Sequence, residues 1–552
     1  MFEISDLSLF DEFAIMLATA VGVGLLSVRL RQPLIVAFIA VGILLGPAML
    51  GLVEHSYSME LLAEFGIALL LFVVGLRLDL HLIKTMGPVS LATGLGQITF
   101  TTLFVFLICI ALGMQIITAI YIAAAMSFSS TIIIVKLLSD KREIDSLHGR
   151  IAIGFLIVQD IMVVVAMIVI TAFGAVGHQT SIGSEVLGVM IKGICLILLV
   201  GLLIKYVLPR VLLHIAASTE LLVLFSIAFA VGFAAFSDVI GFSKEVGAFL
   251  GGIALASSNY REAIGSRLTS VRDFLLLFFF ISLGAQLNIT DMGTQLPIAI
   301  LLSAFVLIGN PLIVLTIMGV MGFRRRTGFL SGLAVAQISE FSLILAALGL
   351  SLGHIDEQTA GLITLVALIT IATSTYMIIY SHQLYERLAP LLRVFERKMP
   401  FQEERLETSS GYIQLPDTIV YGLGRFGKNL ALDLSENGHK VLGVDFDPMV
   451  VKKWSSNEVQ VFYGDAEDPG FLLSIPLKSV KWVISSIPDK RINKTLIDAL
   501  RAEGYQGRIA ITLHRVVAKS ELGLNEDDII LLPYQQAAKQ TAQMMTEFSL
   551  KN

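Results

Sequence analysis

The chain is poor in charge. Of its 552 residues only 15% are Asp, Glu, Lys or Arg, where a soluble domain carries about 25%, so a water-soluble globular protein is excluded. Cysteine is nearly missing. The two that occur, Cys109 and Cys195, lie in apolar runs without metal or redox spacing, which excludes a disulfide scaffold and a zinc site and leaves them structural. A net charge of −5 gives no basic surface for nucleic acid. The first twelve residues hold Glu3, Asp6, Asp11 and Glu12 in place of a basic start, so no cleavable leader is expected. What abounds is apolar: 55% of residues, with a mean hydropathy of +0.82, the signature of a polytopic membrane protein.

Apolar runs long enough to cross about 30 Å of hydrocarbon begin near residues 12, 32, 59, 86, 115, 149, 185, 219, 240, 271, 295, 327 and 357. Thirteen spans are expected. Lys and Arg gather in alternate loops, at Arg29 and Arg31, Arg77 and Lys84, Lys141, Arg142 and Arg150, then Arg210, Arg261 with Arg267 and Arg272, and Arg324 to Arg326. Lys244 is the exception. By the positive-inside rule the N-terminus lies outside and the C-terminal region in the cytoplasm, which an odd helix count permits.

The first six spans recur in the last six at a constant offset of 209 residues. EFGIALLLFVVGLRLDL (64–80) lies over DFLLLFFFISLGAQLNI (273–289), pairing Gly75 with Gly284, Leu78 with Leu287 and Asp79 with Asn288, while Gly42 pairs with Gly251. Two six-span units joined by one helix near 185–204 enter the membrane from opposite sides, an inverted 6+1+6 repeat that alternating-access transporters often use. The same offset sets Ser130 and Thr131, in AAAMSFSSTIIIV, over Ser339 and Glu340, in LAVAQISEFSLIL. Polar breaks at matching positions point to interrupted helices that aim their ends at a transported species. Serines alone fit equally well as residues bonding back to the preceding turn. Glu340 does not, and belongs either near an ion or at a helix end needing its charge.

Asp160 interrupts GFLIVQDIMVVVAMIVI. It stands eleven residues past Gly149, about 16 Å into the bilayer at 1.5 Å per residue. The matching run of the second repeat, TLVALITIATS, has no acid. A midplane carboxylate is stable either protonated or ionised against a desolvated cation, and because these states exclude each other, alternating access through it amounts to cation/proton exchange. A structural ion pair with Lys136 or Lys192 is the competing reading.

QPLIVAFIAVGILLGP, SFSSTIIIVKLL, the Gln159-Asp160 pair, EVGAFLGGIALASSNYR and FFFISLGAQLN together resemble the cation:proton antiporter superfamily, in particular its Kef-type potassium efflux branch. The resemblance implies a core with two crossed, broken helices, a dimerisation domain and hence a homodimer in the cell (inner or plasma) membrane. It implies that Asp160 carries the ion and proton, with Gln159 where relatives place Asn or a second Asp. One acid in place of two implies one proton per cation. Electrogenic relatives bring a lysine near the acid from the helix reading FLLLFFFISLGAQ here, and this chain has none.

After a transmembrane domain over 1–385 comes a charged linker, 386–413, and a third segment, 414–552. Its DTIVYGLGRFGKNLALDLSENGHKVLGVDFD reads as strand, turn, helix and strand. Gly422, Gly424 and Gly427 form GxGxxG: the first turns the chain, the second admits a pyrophosphate, and the third lets helix and strand pack closely. The helix opening near Arg425 would offer its amides to phosphates. Asp445, eighteen residues past Gly427, is placed to accept from a ribose. Further strands at VQVFYGDAED, VKWVISSIPD and RIAITLHR complete a Rossmann-like α/β domain. It resembles the nucleotide-binding lobe of regulator-of-potassium-conductance (TrkA-type) domains, which implies Arg425 at the phosphates and Asp465 at the adenosine.

The expected ligands are NAD(H) or an adenine nucleotide, AMP or ATP, acting as regulator. Kef-type relatives imply glutathione as a further one, although no spacing marks its site. The leading expectation is potassium/proton exchange gated by nucleotide. Sodium on the same scaffold is the alternative, and a membrane-bound pyridine-nucleotide enzyme the remote one.

Overall fold

A computed structural model describes residues 9–174 except 48, 53–56, 78–86, 142 and 145; 196–396 except 197, 199, 216–217, 259 and 288; and 415–551 except 448–449, 452–453, 455–458, 467–476 and 516. Cys195, Lys192, Leu78, Asp79, Asn288 and Arg142 lie outside the described residues, as does most of the linking span expected from 185. The chain folds as two compact units, one built from most of Met1–Phe395 and one mainly from Glu396–Asn552.

Among the described residues the regular elements of the first unit are all helical. Its first repeat comprises α1 (Leu9–Arg29), α2 (Leu34–Leu45), α3 (Tyr57–Arg77), α4 (Gly87–Ala111), the interrupted pair α5 (Ile116–Ser127) and α6 (Thr131–Asp140), and α7 (Leu147–Gly174). A π turn at Leu203–Val207 leads into α8 (Leu208–Ile215). The second repeat comprises α9 (Thr219–Ile240), α10 (Lys244–Ala256), α11 (Arg261–Ala285), α12 (Ile289–Ala304), a π turn at Phe305–Gly309, α13 (Asn310–Val320), the interrupted pair α14 (Arg325–Leu333) and α15 (Glu340–Ser351), and α16 (Glu357–Ile379). Nine helical stretches among the described residues are long and apolar enough to span a membrane. At twelve residues each, α2, α5 and α15 reach only about 18 Å, so the interrupted pairs cross as two half-helices. The inverted 6+1+6 arrangement with crossed, broken helices is thus the fold.

Glycines fix how the repeats pack. A side chain on Gly42 of α2 would strike the Ile281 carbonyl and stand 2.8 Å from Cα of Gly284 in α11. Its counterpart is Gly252 of α10, which meets the Phe72 carbonyl of α3, while Gly75 of α3 meets the Phe249 carbonyl of α10. The two repeats therefore make two like crossings, each close enough for backbone to touch backbone, with Gly252 standing where the offset of 209 expects Gly251. A Cβ on Gly66 would stand 2.8 Å from the carbonyl carbon of Leu275, so the two backbones pack directly. Those two positions are themselves repeat mates, so α3 and α11 meet on the pseudo-twofold axis.

The segment after α16 continues as α17 (Ser381–Leu392) and a single 3-10 turn, Arg393–Phe395, before the undescribed part of the linker. Where the sequence reads as charged and aperiodic, the first part of this connection is helical.

The second unit is a six-stranded parallel sheet in the order β3-β2-β1-β4-β5-β6. Its strands are β1 (Thr418–Tyr421), β2 (Val441–Asp445), β3 (Gln460–Tyr463), β4 (Trp482–Ser485), β5 (Arg508–Thr512) and β6 (Ile529–Leu531). Described helices α18 (Arg425–Glu436), α19 (Lys490–Ala502), α20 (Lys519–Leu522) and α21 (Pro533–Lys551) connect or follow them. β1, β2 and β4 are buried along nearly all their length, as befits central parallel strands covered on both faces. This strand order reverses direction between β1 and β4, so the carboxyl ends of those strands form the crevice where Rossmann-type folds bind ligands.

Candidate functional site

In the membrane unit the two helix breaks come together. Ser130 caps α6, its hydroxyl accepting from Ile133 N–H at 3.4 Å, and Ser339 caps α15, accepting from Phe341 N–H at 3.2 Å. Each cap satisfies an otherwise orphaned amide of a half-helix that begins inside the membrane, worth about 1 kcal/mol. The hydroxyl of Ser342, in the first turn of α15, donates to the Ala125 carbonyl near the end of α5. Thr131 is the first residue of α6 and Glu340 the first of α15.

Asp160 sits midway along the 28 residues of α7. Thr131 Oγ1 donates to its Oδ2 at 2.9 Å, and both residues remain partly accessible. Gln159, one residue earlier, is buried and turned elsewhere: its Oε1 accepts from the Ser129 N–H at 3.1 Å and its Nε2 donates to Gln97. Both ends of its amide are thus engaged by protein. Glu340 is 2% exposed, and its Oε2 has no hydrogen-bond partner among the described residues, nor do Ser129 Oγ and Gln337 Nε2 beside the breaks. The geometry therefore unites Asp160 with Thr131, places Glu340 at the start of α15 beside the second break, and commits Ser130 and Gln159 to holding backbone.

A cavity of about 670 Å³ reaches Glu340 and the first turn of α6, without Asp160 or Thr131 among its lining residues. Its lining runs from Arg31, Lys141 and Ile379, near helix ends, to Glu340 at the break, with Arg272 and Asp273 on its wall. Arg272 is 4% exposed and forks onto the Asp273 carboxylate at 2.9 and 2.7 Å. Lys141 Nζ donates to Ser381 Oγ at 2.6 Å.

Three residues that sequence reasoning missed complete the polar interior: Gln97, Thr101 and Asn310. Gln97 Nε2 donates to Thr101 Oγ1 at 3.0 Å, Thr101 donates to Asn310 Oδ1 at 2.8 Å, and Asn310 Nδ2 lies 3.3 Å from both the Met126 and Val335 carbonyls. The 209-residue offset, applied to every polar residue of the apolar spans and not only to the breaks, pairs Thr101 with Asn310.

In the second unit Gly422 takes φ +81°, a conformation that glycine alone adopts freely, as its carbonyl accepts from Ser486 Oγ at 2.6 Å. Gly424 precedes α18 with nothing within 4 Å of where a Cβ would stand. On Gly427 a Cβ would strike the Gly422 carbonyl and come within 2.5 Å of Ser486 Oγ. Arg425 is exposed at the start of α18. Asp445 ends β2 and is 6% exposed, its Oδ2 accepting from Leu423 N–H at 2.6 Å and its Oδ1 from Asp447 N–H at 2.8 Å. Burial holds its carboxyl above the ordinary range, although the two amide donors pull the other way. The carboxylate thus ties the glycine-rich turn to β2, and each oxygen keeps a further acceptor direction. Asp465, half-buried, follows β3 one residue past Gly464, whose N–H donates to the Asp445 carbonyl at 3.0 Å.

A transporter fold with a carboxylate beside its crossed breaks, joined in one chain to a Rossmann-type domain with a glycine-rich turn, defines a secondary transporter carrying a nucleotide-binding type of domain. The family described as sodium/hydrogen exchanger, transmembrane, matches residues 15–379, and the TrkA-N domain matches residues 418–526. The chain belongs to the sodium/hydrogen exchanger family, as an integral membrane cation:proton antiporter and not an enzyme. It is 32% identical over 367 residues to the iron transporter MagA of Paramagnetospirillum magneticum, covering 66% of this chain and 83% of that protein. It is 28% identical over 480 residues to the glutathione-regulated potassium-efflux system protein KefC of Klebsiella pneumoniae, covering 86% and 75%. With YbaL of Escherichia coli it shares 27% identity over 523 residues, 91% of either chain.

Proposed function

We propose that the protein exchanges potassium for protons at Asp160, with Thr131 as the carboxylate's partner, under the control of a nucleotide held by the glycine-rich turn. The observation that carries the exchange reading is the Thr131–Asp160 pair: a partly accessible carboxylate in mid-helix, answered by one hydroxyl at the start of a half-helix. Such an acid is stable protonated or holding a cation, and carrying one form each way is a one-for-one, electroneutral exchange. Glu340, at the inner end of the cavity, would draw the cation towards Asp160. The basic residues at the other end of that cavity, taken with the positive-inside rule, support a mouth open to the cytoplasm. On this reading the N-terminus is outside and the state is inward-open.

Potassium is favoured because KefC, described as a potassium-efflux protein, aligns with 86% of this chain. Sodium is the second reading, favoured by the family description itself. NAD(H), AMP or ATP would lie across Gly422, Gly424 and Gly427 with phosphates at Arg425 and the start of α18, the ribose at Asp445 and the adenosine at Asp465. If that ligand binds one membrane state more tightly, it shifts the population and so the rate. Glutathione as a further regulator is favoured by likeness to KefC, described as glutathione-regulated, and a homodimer is what the superfamily resemblance implies.

The test is dequenching of a pH gradient in proteoliposomes, with K⁺, Na⁺, Li⁺, Rb⁺ or Fe²⁺ added in turn, comparing the wild type with Asp160→Asn. Potassium is expected to dissipate the gradient in the wild type only. Flux that follows an imposed voltage would refute the one-for-one ratio. Rates unaltered by NAD(H), AMP and ATP, and equal in Gly424→Asp, would refute nucleotide control.

A further inference from the structure

We propose that Asn310, Thr101 and Gln97 form a clamp on the pseudo-twofold axis that ties the two helix breaks together and sets the register of Thr131 against Asp160. They are positioning residues, not ligands, and the inference rests on Asp160 being the exchange carboxylate. Thr101 and Asn310 are 209 residues apart, mates under the repeat, and hydrogen-bonded to each other at 2.8 Å. Two mates touch only where the axis passes between them. Met126 and Val335 are likewise mates, and the single amide of Asn310 addresses both carbonyls at 3.3 Å. One side chain therefore joins equivalent points of both interrupted helices. Asn310 itself is 0% exposed and follows immediately on the π turn Phe305–Gly309, an irregularity that often marks functional positions.

From the axis the chain of bonds runs outward through Thr101 and Gln97 to Gln159, and on to the Ser129 N–H. Ser129 and Thr131 belong to one break, and Gln159 and Asp160 are neighbours on α7. Two parallel tethers thus join that break to α7, Ser129 to Gln159 and Thr131 to Asp160. With the first held by Gln97, the hydroxyl of Thr131 has little freedom to leave the carboxylate. The second break hangs from the same clamp, so both breaks are bound to move as one body.

Symmetry supplies the test. An asparagine at 101 would address the same two carbonyls from the other repeat, with a threonine at 310 donating to it. Thr101→Asn and Asn310→Thr are each expected to raise the cation KM about tenfold, the worth of a buried hydrogen bond, and to displace the pH of half-maximal exchange. The double variant T101N/N310T should recover most of both. A double variant no better than the singles, or singles with unaltered KM and pH profile, would overturn the clamp. Should the singles fail to fold by thermal melt, Gln97→Leu severs only the arm to Gln159, and an unchanged KM and pH profile there would overturn it equally. Exchange persisting in Asp160→Asn would defeat the site reading instead, and the double variant would still decide the clamp.

Discussion

Hydroxyls and hydrogens decide most at the residue scale, since each polar group near the breaks has few alternatives inside a membrane. Thr131→Val keeps the shape of the side chain and deletes the donor to Asp160. We expect the KM for the cation to rise about tenfold in liposome exchange assays, with Thr131→Ser near the wild type. In the second unit two glycines of one motif should separate fold from binding. Gly424→Ala adds a methyl where nothing stands within 4 Å, so the thermal midpoint should hold while nucleotide binding, read by titration calorimetry, is lost. Gly427→Ala drives a methyl into the Gly422 carbonyl, and the melting of the unit itself should fall. The packing role of Gly427 was legible from the spacing GxGxxG, because strand, turn and helix leave that glycine one geometric task. Gln97 and Asn310 were not. A neutral amide carries no charge to mark it and is tolerated in an apolar helix once its atoms find partners, so although the offset aligns Thr101 with Asn310, it is their contact that reveals the place.

Elements show the same division between what length dictates and what contact dictates. Apolar run lengths announce the helices, and the repeat announces which of them correspond, because hydrocarbon thickness constrains every span alike. They do not tell which equivalents touch. Gly42 and Gly251 align in sequence, yet Gly42 packs on Gly284 and the neighbouring Gly252 on the α3 backbone near Gly75, so the repeat predicts a pair of crossings and not a pair of mates in contact. The π turn before Asn310 and the helical start of the linker were hidden for a like reason: neither changes the apolar period enough to be read. The glycine crossings carry a clear expectation. Gly284→Val would push into the Ile39 carbonyl and the Cα of Gly42 at 3.0 Å, and we expect a loss of about 1–3 kcal/mol in the melting of detergent-solubilised protein. Gly232→Ala in α9 meets nothing within 4 Å and should be neutral or slightly stabilising, as alanine is the better helix former.

For the whole molecule, the cavity of about 670 Å³ is the volume that must vanish if access alternates. Its walls come from two groups of helices: α1, α2 and α11 on one side, with Leu34, Arg272 and Phe280, and α6, α15 and α16 on the other, with Leu137, Glu340 and Ile379. A glycine crossing binds α2 to α11 and the Asn310 amide joins the two breaks, while across the boundary Gln32 Nε2 donates to the Ala372 carbonyl at 3.2 Å and the Tyr376 hydroxyl to the Leu30 carbonyl at 2.9 Å, bonds that a movement there would break. The closing movement nonetheless falls to the boundary that the cavity marks. A single cysteine in place of Ile379, in a Cys195→Ser background that leaves only the fully buried Cys109, offers one thiol on that boundary. A bulky, membrane-impermeant maleimide should label it in inside-out vesicles and not in intact cells. Labelling should stop exchange outright, because an adduct in the cavity prevents the two groups from closing. Conditions that favour the outward-open state should slow the labelling in proportion to its population. Equal labelling from both faces, or exchange undiminished in the labelled protein, would mean that this cavity is neither the cytoplasmic entrance nor the moving boundary.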